Sequence, residues 1–170
     1  MSRRKGVHDL LAAAVQLKKN WTDFTVYLMG PGDQRSVQDM ITGHALETHV
    51  NCLGVLNATE KWKYYHKAWC FCLPSYAEGF PLVLLEAMAA GLPIVSSRAG
   101  GIPDMIDDCR HGYLLNPGDV QGIAASIDTV WKEPARREKM AALNRQRVKR
   151  NYTIERCADK ISQLYQELLH

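Results

Sequence analysis

The sequence predicts an α/β domain: a Rossmann-like parallel sheet with helices on both faces. Three observations lead there. Short apolar runs of strand length alternate with helical patterns along the chain, and such alternation implies crossover connections between parallel strands covered on both faces. At 170 residues, 46% hydrophobic and 23% charged, the chain suits one soluble globular domain with a sizeable core. Turn-rich segments, "PSYAEGFP" and "SSRAGGIP", follow directly after two of the strands, at the carboxyl ends where ligands of such sheets bind.

The elements follow in order. Leu10, Leu11, Ala14 and Leu17 mark one face of a helix over about residues 8–19. "FTVYLMGPG" is an apolar run ending in turn residues, a buried strand, and "VNCLG" fits another short strand. A helix runs from about Glu60 to Lys67, then "AWCFCLPS" is a third strand ending at Pro74. The apolar helix Leu82–Ala90, the strand "PIVSS", a short turn-helix near Pro103 and the strand and turn "GYLLNPGD" come next. Helices fill the remainder, about 136–169, and Ile154, Cys157, Ile161, Leu164 and Leu168 give the last one a stripe suited to docking. The whole, 1–170, reads as a single domain.

Composition bounds the function. No apolar run approaches the roughly 18 residues of a membrane span, and no signal-peptide pattern opens the chain, which favours a cytoplasmic setting. Five cysteines, with Cys52, Cys70 and Cys72 in strand-like contexts, fit a reduced set of small buried residues. Cys70-x-Cys72 is one residue short of a metal knuckle and has no second pair, so no metal is expected. The stretch from Lys132 to Arg150 holds eight Lys/Arg against two acids. A solvated helix face explains it; contact with an anionic membrane surface or with nucleic acid is the sharper, less favoured alternative, and the expected partners include no nucleic acid. The aromatics Trp62, Tyr64, Tyr65 and Trp69 among lysines suit a helix packing on the sheet better than base stacking. His111 sits in a turn, and Gly100-Gly101 forms a tight turn near the candidate site without dinucleotide-binding spacing.

The most informative stretch is "EGFPLVLLEAMAAG". Glu86 stands alone among apolar residues from Leu82 to Ala90, and a carboxylate in a buried helix is costly unless hydrogen-bonded. A structural partner, such as Arg98, would satisfy it. The neighbours point elsewhere. Pro81 suits the first helical position, so a helix N-terminus with free N–H groups opens after Gly79-Phe80. Gly79 lets backbone approach a ligand. Glu78 lies outside the helix start, and Glu86 roughly 7 Å inside it at about 1.5 Å per residue. Two acceptors flanking an anion-friendly terminus fit a ligand with hydroxyls at both ends and a diphosphate between, a nucleotide sugar.

These residues carry a resemblance. "PSYAEGFPLVLLEAMAAGLPIVSS", followed by "AGGIPDMI" and "HGYLLNPGD", is similar to the C-terminal, donor-binding half of retaining GT-B glycosyltransferases of family 4, the glycosyl transferases group 1. Glu78 and Glu86 match that family's E-x7-E motif, "RRKGVHDLLAAA" looks like its phosphate-binding helix start, and "VYLMGPG" like its second strand. The resemblance implies that Glu86 accepts ribose hydroxyls, and that Glu78 contacts the transferred sugar and stabilises charge at the anomeric carbon. It implies that Lys5 neutralises the departing diphosphate, and that backbone at Gly79, Phe80 and Leu82, shaped by Pro81, holds sugar or phosphate. The resemblance also implies that the base lies near Gly54 and Val55. No cofactor or metal is implied; the UDP- or GDP-sugar is a substrate, and the acceptor is a polysaccharide, a lipid or a small glycoside.

Two departures qualify this. The family has a strand before the Lys-Gly helix, central in the sheet, and counting back from Lys5 runs off the chain. Its N-terminal acceptor-binding domain is also missing from this sequence. The expectation is a fragment or truncated product, inactive alone, that borrows a strand from a second copy in a homodimer or rearranges its sheet. Asp104 stands where the family more often has Glu. The rival readings are a non-catalytic nucleotide or sugar-phosphate binding module and a basic nucleic-acid binder.

Overall fold

A computed structural model describes residues 3–169. A 3-10 turn at Arg3–Lys5 leads into α1 (Val7–Lys18), β1 (Val26–Met29), α2 (Gln34–Gly43), β2 (Val50–Gly54) and α3 (Ala58–Lys67). Then come β3 (Phe71–Leu73), α4 (Leu82–Ala90), β4 (Ile94–Ser97), the short α5 (Ile102–Met105) and β5 (Gly112–Leu115). Three helices close the chain: α6 (Val120–Lys132), α7 (Pro134–Asn151) and α8 (Ile154–Leu168).

All ladders are parallel, as crossover connections demand. β1 pairs with β2, setting Val26 opposite Val50, and β4 lies between β3 and β5, with Ile94 opposite both Phe71 and Gly112. The α/β class with helices flanking parallel strands therefore stands. The sheet is divided, however: β1–β2 and β3–β4–β5 share no ladder among the described residues. What spans both pieces is apolar packing. Leu11, Ala13 and Ala14 of α1 are fully buried in one cluster with Leu28 and Val50 of the first piece and Val95 of the second. A second cluster joins Leu84, Ala87 and Met88 of α4 to Leu73, Ile94 and Ile102.

Local chemistry explains the element ends. The Asp33 carboxylate accepts from the Ser36 N–H and starts α2. At α3, Asn57 and Glu60 exchange side-chain-to-backbone bonds in a capping box. Gly6, at φ +70°, turns the chain into α1 where any Cβ would stand 2.0 Å from the Pro74 carbonyl oxygen. The following loop is tied to this turn by the Tyr76 N–H donating to the Arg4 carbonyl at 2.8 Å. Asn144, fully buried on α7, donates to the carbonyls of Leu92 and His111 at 2.7 and 2.9 Å.

Several expectations need correction. α2 was not anticipated: only Val37 and Ile41 are buried along its ten residues, too thin a stripe to stand out. Pro81 is the residue before α4, with extended ψ, and Leu82 is the first helical residue. Cys52, in the middle of β2, is exposed, as is Asn51 before it; Cys70 and Cys72 are partly covered, and all five cysteines are free thiols. Burial pushes the Cys70 thiol up to about 11. The last helix leaves its stripe open: Ile154, Ile161, Leu164 and Leu168 are each more than half exposed, and the main packing of α8 among the described elements is against α7.

Candidate nucleotide-sugar site

The site is built on the loop after β3. Pro74 and Ser75 are buried, and the Ser97 hydroxyl at the end of β4 donates to the Ser75 carbonyl, while the Ser96 hydroxyl donates to the Leu73 carbonyl at 2.6 Å. The two serines of "PIVSS" thus fasten the neighbouring strand's exit. The Ser75 hydroxyl in turn donates to Glu78 Oε1 at 2.6 Å. Beneath the loop runs the Gly100-Gly101 turn. Gly100 has φ +53° and its missing Cβ leaves room for the Glu78 carbonyl oxygen, which such an atom would meet at 1.7 Å. The Gly101 N–H donates to the Gly79 carbonyl at 2.9 Å.

Lys5 and Glu78, 73 residues apart in sequence, meet here. The Lys5 ammonium sits 2.8 Å from both carboxylate oxygens of Glu78. The carboxylate is 5% exposed and the ammonium 43%, so the anion is fixed and the cation faces solvent. Glu86, one turn into α4, has its own lysine. Lys61 on α3 donates to Oε1 at 2.9 Å and Oε2 at 2.7 Å, and the Tyr65 hydroxyl donates to Oε2 at 3.1 Å. Burial first, and then the Glu86 carboxylate, raise the Tyr65 phenol above its ordinary value. Arg98, the partner expected for Glu86, instead binds Asp108 at 2.6 Å.

The remaining predicted residues frame this pair. Gly79 is exposed, Phe80 and Leu82 are exposed apolar residues beside the start of α4, and Pro81 is buried beneath them. Gly54 ends β2 in a left-handed conformation, its carbonyl accepting from the Gly30 N–H at 2.7 Å, and Val55 after it is open to solvent. A cleft of about 560 Å³ lies around the residues flanking Lys5 and Ser75, lined by Arg4, His8, Asp9, Met40 and Tyr76.

Sequence reasoning did not place Ser75, Lys61 or Tyr65 at the site. A serine three residues before a buried glutamate was the only signal for the first. Lys61 and Tyr65 lie four apart on one face of α3, and their relation to Glu86 exists only in the fold. The bland readings hold elsewhere. Trp62 and Tyr65 pack into the second core cluster. Trp69 stacks on Trp131 at 3.6 Å between centroids, with Arg137 over its ring at 4.5 Å. Arg147 bonds to Asp107 and the Asp104 carbonyl, so part of the basic stretch is spent internally. His111 is buried, and its Nδ1 accepts the Asp107 N–H at 3.0 Å, which makes the ring the neutral Nε2–H tautomer.

Comparison with known proteins agrees with this architecture. The family model described as "Glycosyl transferases group 1" matches residues 1–147. A glycogen synthase of Mycobacterium tuberculosis is 34% identical over 162 residues, which is 95% of this chain and 39% of that protein. Among solved structures, the sucrose-phosphate synthase of Thermosynechococcus elongatus superposes with a TM-score of 0.88 at 29% identity, covering 99% of this chain and 43% of the other. The pneumococcal O-GlcNAc transferase GtfA, solved with UDP and GlcNAc, gives a TM-score of 0.85 at 25% identity, with 99% and 34% covered. The chain thus spans about two fifths of the length of such relatives. No described helix is long and apolar enough to cross a membrane. On the length of the match and the identity of its relatives, this chain belongs to the glycosyl transferases group 1 family of glycosyltransferases.

Proposed function

We propose that the chain is the donor-binding half of a retaining glycosyltransferase, holding a nucleotide diphosphate sugar while an acceptor is presented by a further domain. The observation that carries this reading is the pair of lysine-bound carboxylates set on either side of the α4 N-terminus. The relatives supply context: GtfA was solved with UDP and GlcNAc.

On this reading the ribose hydroxyls go to Glu86 and the base lies against Gly54 and Val55. The diphosphate meets the leading N–H groups of α4, which the helix itself leaves unpaired. Lys5 leaves Glu78 for the phosphates, where an ammonium stabilises the charge that grows as the sugar departs. That move frees the Glu78 carboxylate, still held by Ser75, to face the sugar and the positive charge at its anomeric carbon. The cations and the helix terminus neutralise phosphate with side chains and backbone of the chain itself.

Calorimetry with UDP, GDP and ADP, and then with their sugars, tests the proposal. One nucleotide should bind in the micromolar range, and Glu86→Ala should weaken it at least tenfold, as expected when a bidentate hydroxyl contact is lost. Absence of any nucleotide binding, or binding indifferent to Glu86→Ala, rejects it. Salt-sensitive binding of oligonucleotides in place of nucleotide sugars would favour a nucleic-acid role instead.

A further inference from the structure

A carboxylate offers about four lone-pair positions, two on each oxygen. At Glu86 three are used: Lys61 takes one on Oε1 and one on Oε2, and the Tyr65 hydroxyl takes the other on Oε2. One remains, on Oε1. A ribose presents a vicinal diol, and a diol engages a carboxylate through one lone pair on each oxygen. The ribose contact proposed above therefore cannot form while both partners stay in place.

Of the two partners, Lys61 is the one able to leave. Tyr65 is 3% exposed and packed against Trp62 and Phe71 in the core, so its hydroxyl is fixed. The Lys61 side chain is 24% exposed and hangs from the first turn of α3 by a flexible four-carbon stem. Resting on the proposed donor site, we infer that Lys61 is a specificity-determining residue, a built-in competitor that the ribose diol must displace from Glu86. A nucleotide with both hydroxyls replaces the two ammonium bonds with two of its own. A 2′-deoxynucleotide has one hydroxyl to place, and the spare position on Oε1 takes it without moving Lys61. The ion pair thus subtracts from ribose affinity while leaving deoxyribose affinity almost untouched.

The consequence runs against intuition: deleting a cation should tighten binding of an anionic ligand. Lys61→Met keeps the apolar stem, and UDP, or whichever nucleotide the wild-type chain binds, should bind it roughly fivefold tighter, the scale of a partly exposed ion pair. The 2′-deoxy analogue should stay within about twofold, so the ratio of the two affinities widens. Tyr65→Phe is an independent second variant that preserves core volume. It frees a position on Oε2, lets the diol bind beside Lys61, and should also tighten the ribonucleotide alone. Lys63→Met, an exposed neighbour on α3, controls for general charge and should shift neither ligand. Equal weakening of both ligands in Lys61→Met overturns the inference, since Lys61 would then hold phosphate or the fold. An unchanged ratio in Lys61→Met and Tyr65→Phe overturns it too, as does an equal response in Lys63→Met. If no nucleotide binds the wild-type chain, the donor-site reading itself fails. If Glu86→Ala removes binding while Lys61→Met and Tyr65→Phe change nothing, only the competitor role is lost.

Discussion

Glu78 and Glu86 carry the same chemistry in inverted settings. At Glu78 the carboxylate is 5% exposed and its lysine 43%; at Glu86 the carboxylate is 35% exposed and its lysine 24%. The first anion is therefore part of the framework, anchored by Ser75 and by a backbone seated on Gly100. The second sits at a surface that solvent and a competing donor can reach. A group that must hold position against a developing charge suits the first environment, and a group that must trade one set of donors for another suits the second.

Replacing the floor under Glu78 is the strongest way to break this contrast. Gly100→Ala places a Cβ 1.7 Å from the Glu78 carbonyl oxygen at φ +53°, and should destabilise the fold by about 3 kcal/mol. Urea denaturation would register it, and the same change should abolish the Lys5–Glu78 contact. Next in size is Lys5→Met, which strands a nearly buried carboxylate with Ser75 alone. The expected loss is about 2 kcal/mol, and the double variant Lys5→Met/Glu78→Gln should recover most of it. If Lys5→Met proves no more costly than Lys61→Met, the two carboxylates are not inverted in the way their exposure suggests.

Two smaller tests calibrate these against groups outside the site. Burial and then the Arg147 charge hold the His111 imidazole below its ordinary 6.5. The unfolded chain binds that proton more readily, so stability is complete above pH 6.5 and falls as pH drops below it. His111→Gln should flatten that part of the pH–stability curve. Arg98→Ala removes a pair exposed on both sides, 48% and 38%, and should cost within about 0.5 kcal/mol by thermal melting.

The sequence announced the strands, the apolar α4 and the glycine turns well, because period, punctuation and burial are local properties. It also made Glu86, and Glu78 near it, conspicuous, since one carboxylate stands among apolar residues; Lys5 entered only through the resemblance to the family. Lys61 was hidden in plain view: a lysine on a lysine-rich helix gives no sign of its partner until α3 and α4 are packed together. Ser75 and the two serines of β4 were equally silent, because a hydroxyl's role depends on which carbonyl the fold brings to it. The α8 stripe shows the opposite failure. Its helical spacing is real, yet amphipathic periodicity states that a face needs covering and not what in this chain would cover it.

The divided sheet has a mechanical meaning. Among the described residues, the seam between the half bearing Gly54–Val55 and the half bearing Glu78–Glu86 is bridged by apolar packing beneath α1 and, through α3, by the Lys61 and Tyr65 bonds to Glu86. On the proposed reading, a nucleotide sugar with its base at one half and its hexose at the other would act as a tie across that seam. Amide exchange in β1 and β3 would then slow together on saturation, so occupancy of the cleft could be followed from the rigidity of strands that never touch the ligand.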